Sequence, residues 1–357
     1  MSVFDDIGNP HYGGGGPVVV QQIAKRLARD YRVTVYSASY KGSRSQIRDG
    51  VRYIFLPVGW AGPRGGQLLF QCMLPLVALA KRPNLWIETL TPPFSASLLP
   101  VVSRRPVIGL VQMLSGVDMA RKYKLPFPLI ERQGLKLYEH FIVLNETDRA
   151  TVRRSAKRAT CAIIPNGADR PQVADSQFGR GDHILYLGRI DVEQKGLDLL
   201  LAAVHDDPPA LPLVIAGSGV AREEKRLRQL AAPFGERVRL AGRVDGRRKA
   251  ELLRNCAFVV VPSRFETFSL SALEAITHGK PVVCFDLPQL DWIASDCALR
   301  VPPFDIAALG KAIVTLAADA TQRAAIGRRA YALGGNYDWD VITDRYREVV
   351  AATLDRR

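Results

Sequence analysis

The sequence predicts an α/β protein of two doubly wound, parallel-sheet domains, and three observations predict it. Strand-like and helix-like segments alternate along the chain, as in parallel sheets joined by crossover helices. The alternation restarts near residue 165, after a basic polar stretch at 151–160 and at the turn signal Asn166-Gly167. The 357 residues suit two domains of ordinary size, and a hydrophobic share of 47% gives each a core. The domains expected are residues 1–165 and residues from 166 onward.

The elements follow in order. A first strand is confined to about Ser2–Phe4, the length expected of a clipped start. After the glycine run comes a helix, Val18–Arg29, then strands Arg32–Ser37 and Val51–Pro57. Asn84–Glu88 and Val107–Val111 are short apolar runs of the buried-strand type. Leu129–His140 reads as a helix and Phe141–Leu144 as the next strand, with Ala162–Pro165 closing the first half. In the second half His183–Leu187, Leu213–Ala216, Arg237–Leu240, Phe258–Val261 and Pro281–Phe285 are strands. Between them lie helices Gly196–Val204, Ala221–Ala232, Arg247–Asn255 and Ser269–His278. Helices at Ile306–Asp319, Thr321–Leu333 and Val341–Leu354 finish the chain. The sequence has no tandem repeat and no low-complexity tract.

The charge is uneven. Residues 1–165 carry 23 Lys+Arg and 10 Asp+Glu, and the remainder carry 26 and 25, so nearly all of the net +14 lies in the first half. A basic half beside a neutral one points to an anionic partner, a membrane surface, a phosphate-bearing acceptor or nucleic acid, with simple solubility the competing reading. Five scattered cysteines show neither CxxC nor metal spacing, the usage of a cytoplasmic protein with reduced thiols. The N-terminus has acidic residues where a signal peptide needs basic ones. The longest apolar stretch, Leu68–Ala80, is broken by Gln71 and Pro75 and falls short of the ~20 residues of a membrane span. Integral membrane insertion is excluded; peripheral contact at the inner face of the membrane is not.

Three segments carry chemistry. Phe265–Ala275, FETFSLSALEA, joins a strand to a helix start. Free N–H groups there, from Thr267, Phe268 and Ser269, suit an anion. Glu266 and Glu274 lie eight residues apart, so they address different parts of one elongated ligand, and carboxylates accept from sugar hydroxyls. The competing reading makes Glu266 a helix cap and Glu274 a solvated helix residue. In Tyr186–Asp198, YLGRIDVEQKGLD, Arg189 and Lys195 share one loop with Gly188. Lys195 at a helix start opposes the dipole, which a bound diphosphate would explain. Pairing with Glu193 or Asp191 is the plainer explanation. Gly13–Gly16 precedes a helix and allows close backbone approach to a ligand, though it is neither GxGxxG nor a Walker loop.

Together these segments resemble glycosyltransferase family 4, the group 1 retaining enzymes of the GT-B fold, over nearly the whole chain. LGRID-VEQKGLDLL and FETFSLSALEAITHGKPVV carry the likeness most strongly, with IPNGAD at Ile164–Asp169 and YDWDVITDRYREVV at Tyr337–Val350 in support. The resemblance implies two Rossmann-like domains with a cleft between them, residues 1–165 joined by a C-terminal helix of about 340–357, and a donor domain of 166–339. It implies a nucleoside-diphosphate sugar as co-substrate, with no further cofactor and no essential metal. Arg189 and Lys195 would hold the diphosphate, Glu266 the sugar hydroxyls and Glu274 the ribose. Gly15 and Gly16 would approach phosphate and sugar, Arg243 and Val244 after Gly242 would line the base pocket, and Gly188 and Gly217 would border the donor. Where family members often carry a histidine facing the sugar, this chain has Gln112, which can hydrogen-bond but cannot shuttle a proton.

Three further features have two readings. Asp338-Trp339-Asp340 is a D-x-D, read as a helix start with no acidic cluster beside it. Trp60, in a Gly-rich basic loop, is expected in the core, with membrane or acceptor contact as the alternative. Arg121, Lys122, Lys124, Arg132 and Phe127 are a candidate interfacial patch. The function expected is transfer of a hexosyl-type sugar to an acceptor hydroxyl. The alternatives are an epimerase or phosphorylase of the same fold and a non-catalytic binder of an anionic polymer. No nucleic acid partner is expected.

Overall fold

In a computed structural model, the described residues are all but 10–14, 91–96, 115–123, 125–126 and 356–357; the side chains of 63 and 64 are also left aside. The chain forms two compact units, Met1–Asn166 with Trp339–Arg357, and Gly167–Asp338.

Short runs of aliphatic residues, apolar on both faces, make strands that only a doubly covered parallel sheet can bury. Such runs in unit 1 are β1 (Thr34–Ala38), β4 (Trp86–Leu90), β5 (Val107–Val111) and β6 (His140–Val143), flanked by the more exposed β3 (Val51–Leu56) and β7 (Thr160–Ile163) and a short β2 (Gln46–Arg48). β3 pairs parallel with β1 and antiparallel with β2, and β4-β5-β6-β7 run parallel. Ser2 bridges Tyr36 of β1 and Glu88 of β4, both in parallel, so the first strand, though brief, sits at the centre where the strand order reverses.

The two faces of this sheet have separate cores. On one, α1 (Gly16–Leu27) and the last helix, α12 (Trp339–Asp355), pack through Val20, Ile23, Trp339, Ile342 and Tyr346. The other is covered by α2 (Gly62–Lys81), α3 (Leu99–Val102), α4 (Phe127–Leu135) and α5 (Glu146–Ser155) through Phe70, Leu74, Leu99, Leu135 and Val152. Asp340 of the D-x-D bonds Arg26 of α1 at 2.7 Å, which draws its carboxyl below the usual range and ties α12 to α1.

Unit 2 has six parallel strands: β8 (His183–Leu187), β9 (Leu213–Ala216), β10 (Val238–Gly242), β11 (Cys256–Val261), β12 (Val282–Phe285) and β13 (Ala298–Val301). Their order is β10-β9-β8-β11-β12-β13, the doubly wound arrangement whose order reverses between β8 and β11. The helices α6 (Leu197–Asp206), α7 (Ala221–Ala231), α8 (Gly246–Asn255), α9 (Leu270–Thr277), α10 (Ile306–Ala318) and α11 (Ala320–Gly334) complete it.

The structure corrects four expectations. The loop around Trp60 gives way at Gly62 to α2, which accepts Pro63 in its first turn and Pro75 inside. Trp60 is not in the core: it is 81% exposed, its indole N–H donating to the Pro57 carbonyl. The basic stretch 151–160 is largely the end of α5, which Asn145 caps by accepting from Asp148 N at 2.8 Å. Phe127, placed in the interfacial patch, is buried; Arg121 and Lys122 lie outside the described residues, as do Gly13 and Gly14.

Candidate active site

In a doubly wound sheet the crevice for a ligand opens beyond the C-terminal ends of the strands where the order reverses. In unit 2 that is the end of β8 and of β11, and the two loops that follow them are the two segments rich in charge.

Backbone pairing carries the sheet past its strand ends. Gly188 N donates to Ala216 O at 3.0 Å, Gly217 N to Gly242 O at 2.8 Å, and Ile190 N to Ser218 O at 2.9 Å. Gly217 has φ 151°, and a Cβ there would lie 1.7 Å from the Gly188 carbonyl oxygen. Gly217 is thus required by the close approach of two loops, whatever it borders.

The loop after β8 is stitched to the loop after β11. Gly196 caps α6 in a left-handed conformation, φ 63°, and a Cβ would meet Pro262 O at 1.9 Å. Arg264 N donates to Gln194 O at 3.0 Å, and the Arg264 guanidinium grips both Asp198 oxygens at 2.7 and 2.8 Å. Within this frame Lys195 Nζ donates to Glu266 Oε1 at 2.7 Å. Its partner is therefore neither Glu193 nor Asp191 but a carboxylate 71 residues on. Ser263 Oγ donates to the same Oε1 at 2.7 Å. Glu266 is buried and Lys195 mostly so. Arg189 is half exposed, donating to Gln194 Oε1 at 2.5 Å, with Asp191 3.7 Å away.

The cap of α9 is Ser269, not Glu266: its Oγ accepts from Ala272 N at 3.3 Å. Thr267 and Phe268 lead into it, and Phe268 stacks on Trp292 with centroids 4.7 Å apart, which fixes the approach of the backbone. The opening N–H groups of a helix have no acceptor within it and favour an anion. Glu274, one turn on, is not simply solvated: Lys249 Nζ of α8 donates to its Oε1 at 2.6 Å. Arg243 is exposed, and Val244 packs partly on the core beside it.

In unit 1, Gly15 and Gly16 open α1, and Gln112 follows β5. Gln112 and the buried Asn166 side chain face each other, amide to amide, at 3.4 Å. The buried Asp6, between the first strand and the glycine run, accepts from Gly8 N at 2.9 Å and from Tyr40 and Arg48 at 3.2 and 3.1 Å.

The structure thus joins Lys195 and Gly188 after β8, Gly217 after β9 and Glu266 after β11 in three laced loops, with Thr267, Phe268 and Ser269 at the next helix start. Sequence reading missed Ser263, Lys249, Arg264, Asn166 and Asp6. Ser263 had a signal, three residues before Glu266 at a strand end; Lys249 had none. Among the described residues no group of three His, Cys, Asp or Glu side chains could hold a metal.

The comparisons agree with this architecture. A family model described as Glycosyltransferase Family 4 matches residues 13–171, and one described as Glycosyl transferases group 1 matches residues 181–319. A phosphatidyl-myo-inositol mannosyltransferase of Mycolicibacterium smegmatis is 30% identical over 197 residues, 52% of this chain and 50% of that protein. The matches span about half the length of the curated relatives. Among solved structures, sucrose-phosphate synthase from Thermosynechococcus elongatus superposes with a TM-score of 0.81 at 22% identity, covering 98% and 99% of the two chains. Anabaena HepE, solved with UDP-glucose, gives 0.76 at 18% identity, covering 98% and 99%. At these identities the structures establish the shared fold alone.

Proposed function

The chain belongs to the family 4, group 1 glycosyltransferases, and on that premise we propose that it is a retaining transferase using a nucleoside-diphosphate sugar. The observation that carries the proposal is the Lys195–Glu266 pair where the strand order of unit 2 reverses, next to the start of α9. An ammonium has three donors, so Lys195 can serve Glu266 and a phosphate oxygen together. Both described hydrogen bonds to Glu266 end on Oε1, and its Oε2 serves the sugar hydroxyls.

The leaving group is a nucleoside diphosphate, so the chemistry consists of holding the sugar and stabilising the charge that develops on phosphate. Lys195, Arg189 and the α9 start do the second; Glu266 does the first. Glu274 binds the ribose, and Lys249 fixes its carboxylate. Gln112, held by Asn166, offers a hydrogen bond to the sugar and no proton. Gly15 and Gly16 let the backbone of unit 1 approach the donor. No metal is required in this scheme. The acceptor is a hydroxyl on an anionic or membrane-presented molecule, which the cationic excess of unit 1 supports, and the protein works in the cytoplasm at the inner membrane face. The mycolicibacterial relative is named for a phospholipid acceptor, which fits the same reading.

A thermal-shift panel of UDP, GDP, ADP and TDP with their common sugars, with and without EDTA, tests this. A ligand bound only by the folded state raises the melting temperature. One nucleotide family should do so, indifferent to EDTA, and the shift should vanish in Lys195→Ala and Glu274→Ala. No shift with any nucleotide would overturn the donor site.

A further inference from the structure

Helix α2 buries Phe70 and Leu74 against the sheet but also presents leucines to solvent. Gln67 and Gln71 are buried, while Leu68, Leu76 and Leu79 are 50%, 66% and 46% exposed. With the exposed Cys72 these leucines form one stripe at helical spacing. Leu98 and Val101, each 64% exposed, extend the patch onto α3, which packs beside α2. Leu129 and Ile130 stand exposed on α4.

The charges in the chain segment that carries α2 and α3 are nearly all of one sign. From residue 50 to residue 117 the only carboxylate is Glu88, which is buried, whereas Arg52, Arg64, Lys81, Arg82, Arg104 and Arg105 fall in the same segment. On the same face of the sheet, between α4 and α5, lies an open groove of about 1090 Å³ whose walls carry five cations, Arg132, Lys136, Arg154, Lys157 and Arg158, against two carboxylates, Glu131 and Glu139. That these helices share a face follows from their common core cluster, which excludes α1 and α12.

We propose that unit 1 docks on an anionic lipid bilayer through this face, the leucine stripe of α2 entering the acyl boundary and the α4–α5 groove taking phosphate headgroups. Nucleic acid or an acidic polysaccharide would satisfy the cations but leave the leucines in water. A second copy of the chain would set cations against cations. Only a charged surface over hydrocarbon rewards both. The inference rests on the reading of unit 1 as the acceptor side and gives it a location.

The test is co-sedimentation of the full chain with phosphatidylcholine vesicles, with and without phosphatidylglycerol. Binding is expected with phosphatidylglycerol and to fall on adding salt. Each cation near such a surface is worth roughly fivefold in partitioning, so Arg154→Glu/Lys157→Glu/Arg158→Glu should lower it at least about tenfold. Leu76→Glu/Leu79→Glu should also lower it, and the control Leu230→Glu on unit 2 should not. Equal binding to both vesicles, no binding, unchanged binding by the variants, or stronger binding to duplex DNA than to vesicles would overturn the proposal. Nucleotide thermal shifts on the same samples report folding and the donor site separately. Lost docking with an intact shift refutes only the docking, and the reverse refutes only the donor site.

Discussion

Lys195 is the residue whose presence is hardest to explain without a ligand. It stands where a helix dipole disfavours a cation, and its pairing with Glu266 is only part of its capacity. Lys195→Ala should reduce turnover by about 10²–10³, as loss of one charge-stabilising donor does, while the free enzyme stays folded. Steady-state kinetics beside a melting curve separate the two. Glu88 gives a second prediction, about stability. Burial, opposed in part by the hydroxyls of Ser97 and Tyr138, raises its carboxyl to about 7. The unfolded chain ionises from about pH 4.5 while the folded one stays protonated. Stability is therefore lost as pH rises through that interval and is constant above it. Glu88→Gln should match the wild type near pH 4 and exceed it by about 3 kcal/mol near pH 8, measured by denaturant titration. If the difference does not grow with pH, Glu88 is already ionised in the fold.

At the scale of elements, the site is three loops, after β8, β9 and β11, held together by backbone. Gly196→Ala and Gly217→Ala each put a methyl within 2 Å of a carbonyl oxygen and strain a positive φ. Each should cost more than about 3 kcal/mol, beyond an ordinary point substitution, and should weaken nucleotide binding if the protein still folds. Arg264→Ala removes only the clamp on Asp198. It should leave the sheet intact and raise KM for the donor more than it lowers kcat, because it loosens the loop without removing a donor to phosphate. Element identity was largely legible in the sequence: Val107–Val111, His183–Leu187 and Leu213–Ala216 are strands with the expected bounds. α5 was not, because ten residues with only Asp148 and Val152 buried carry no apolar period, although Asn145 and the acidic first turn announce its start. α2 is not legible either, because Gly and Pro punctuate it and Leu68, Leu76 and Leu79 face out while Gln67 and Gln71 face in.

For the whole molecule, the last helix belongs to the core of the first unit. Trp339, Ile342 and Tyr346 are buried against α1, so the core of unit 1 is completed by the last helix in the chain. Trp339→Ala should cost unit 1 about 3–5 kcal/mol. Differential scanning calorimetry should show the transition of unit 1 lowered while nucleotide still raises that of unit 2. A uniform loss in both would mean that the units melt together. The sequence by itself determined the α/β class, the strand and helix grammar, the family and the charged motifs, because periodicity, caps and short spacings are local properties of a chain. The tertiary structure alone decided that Lys195 meets Glu266, that Lys249 meets Glu274, that Gln112 meets Asn166, and that Trp60 and Leu68, Leu76 and Leu79 of α2 face outward. Those outcomes join residues far apart in the chain, or set which side of a helix the sheet covers, and packing rather than local propensity chooses both.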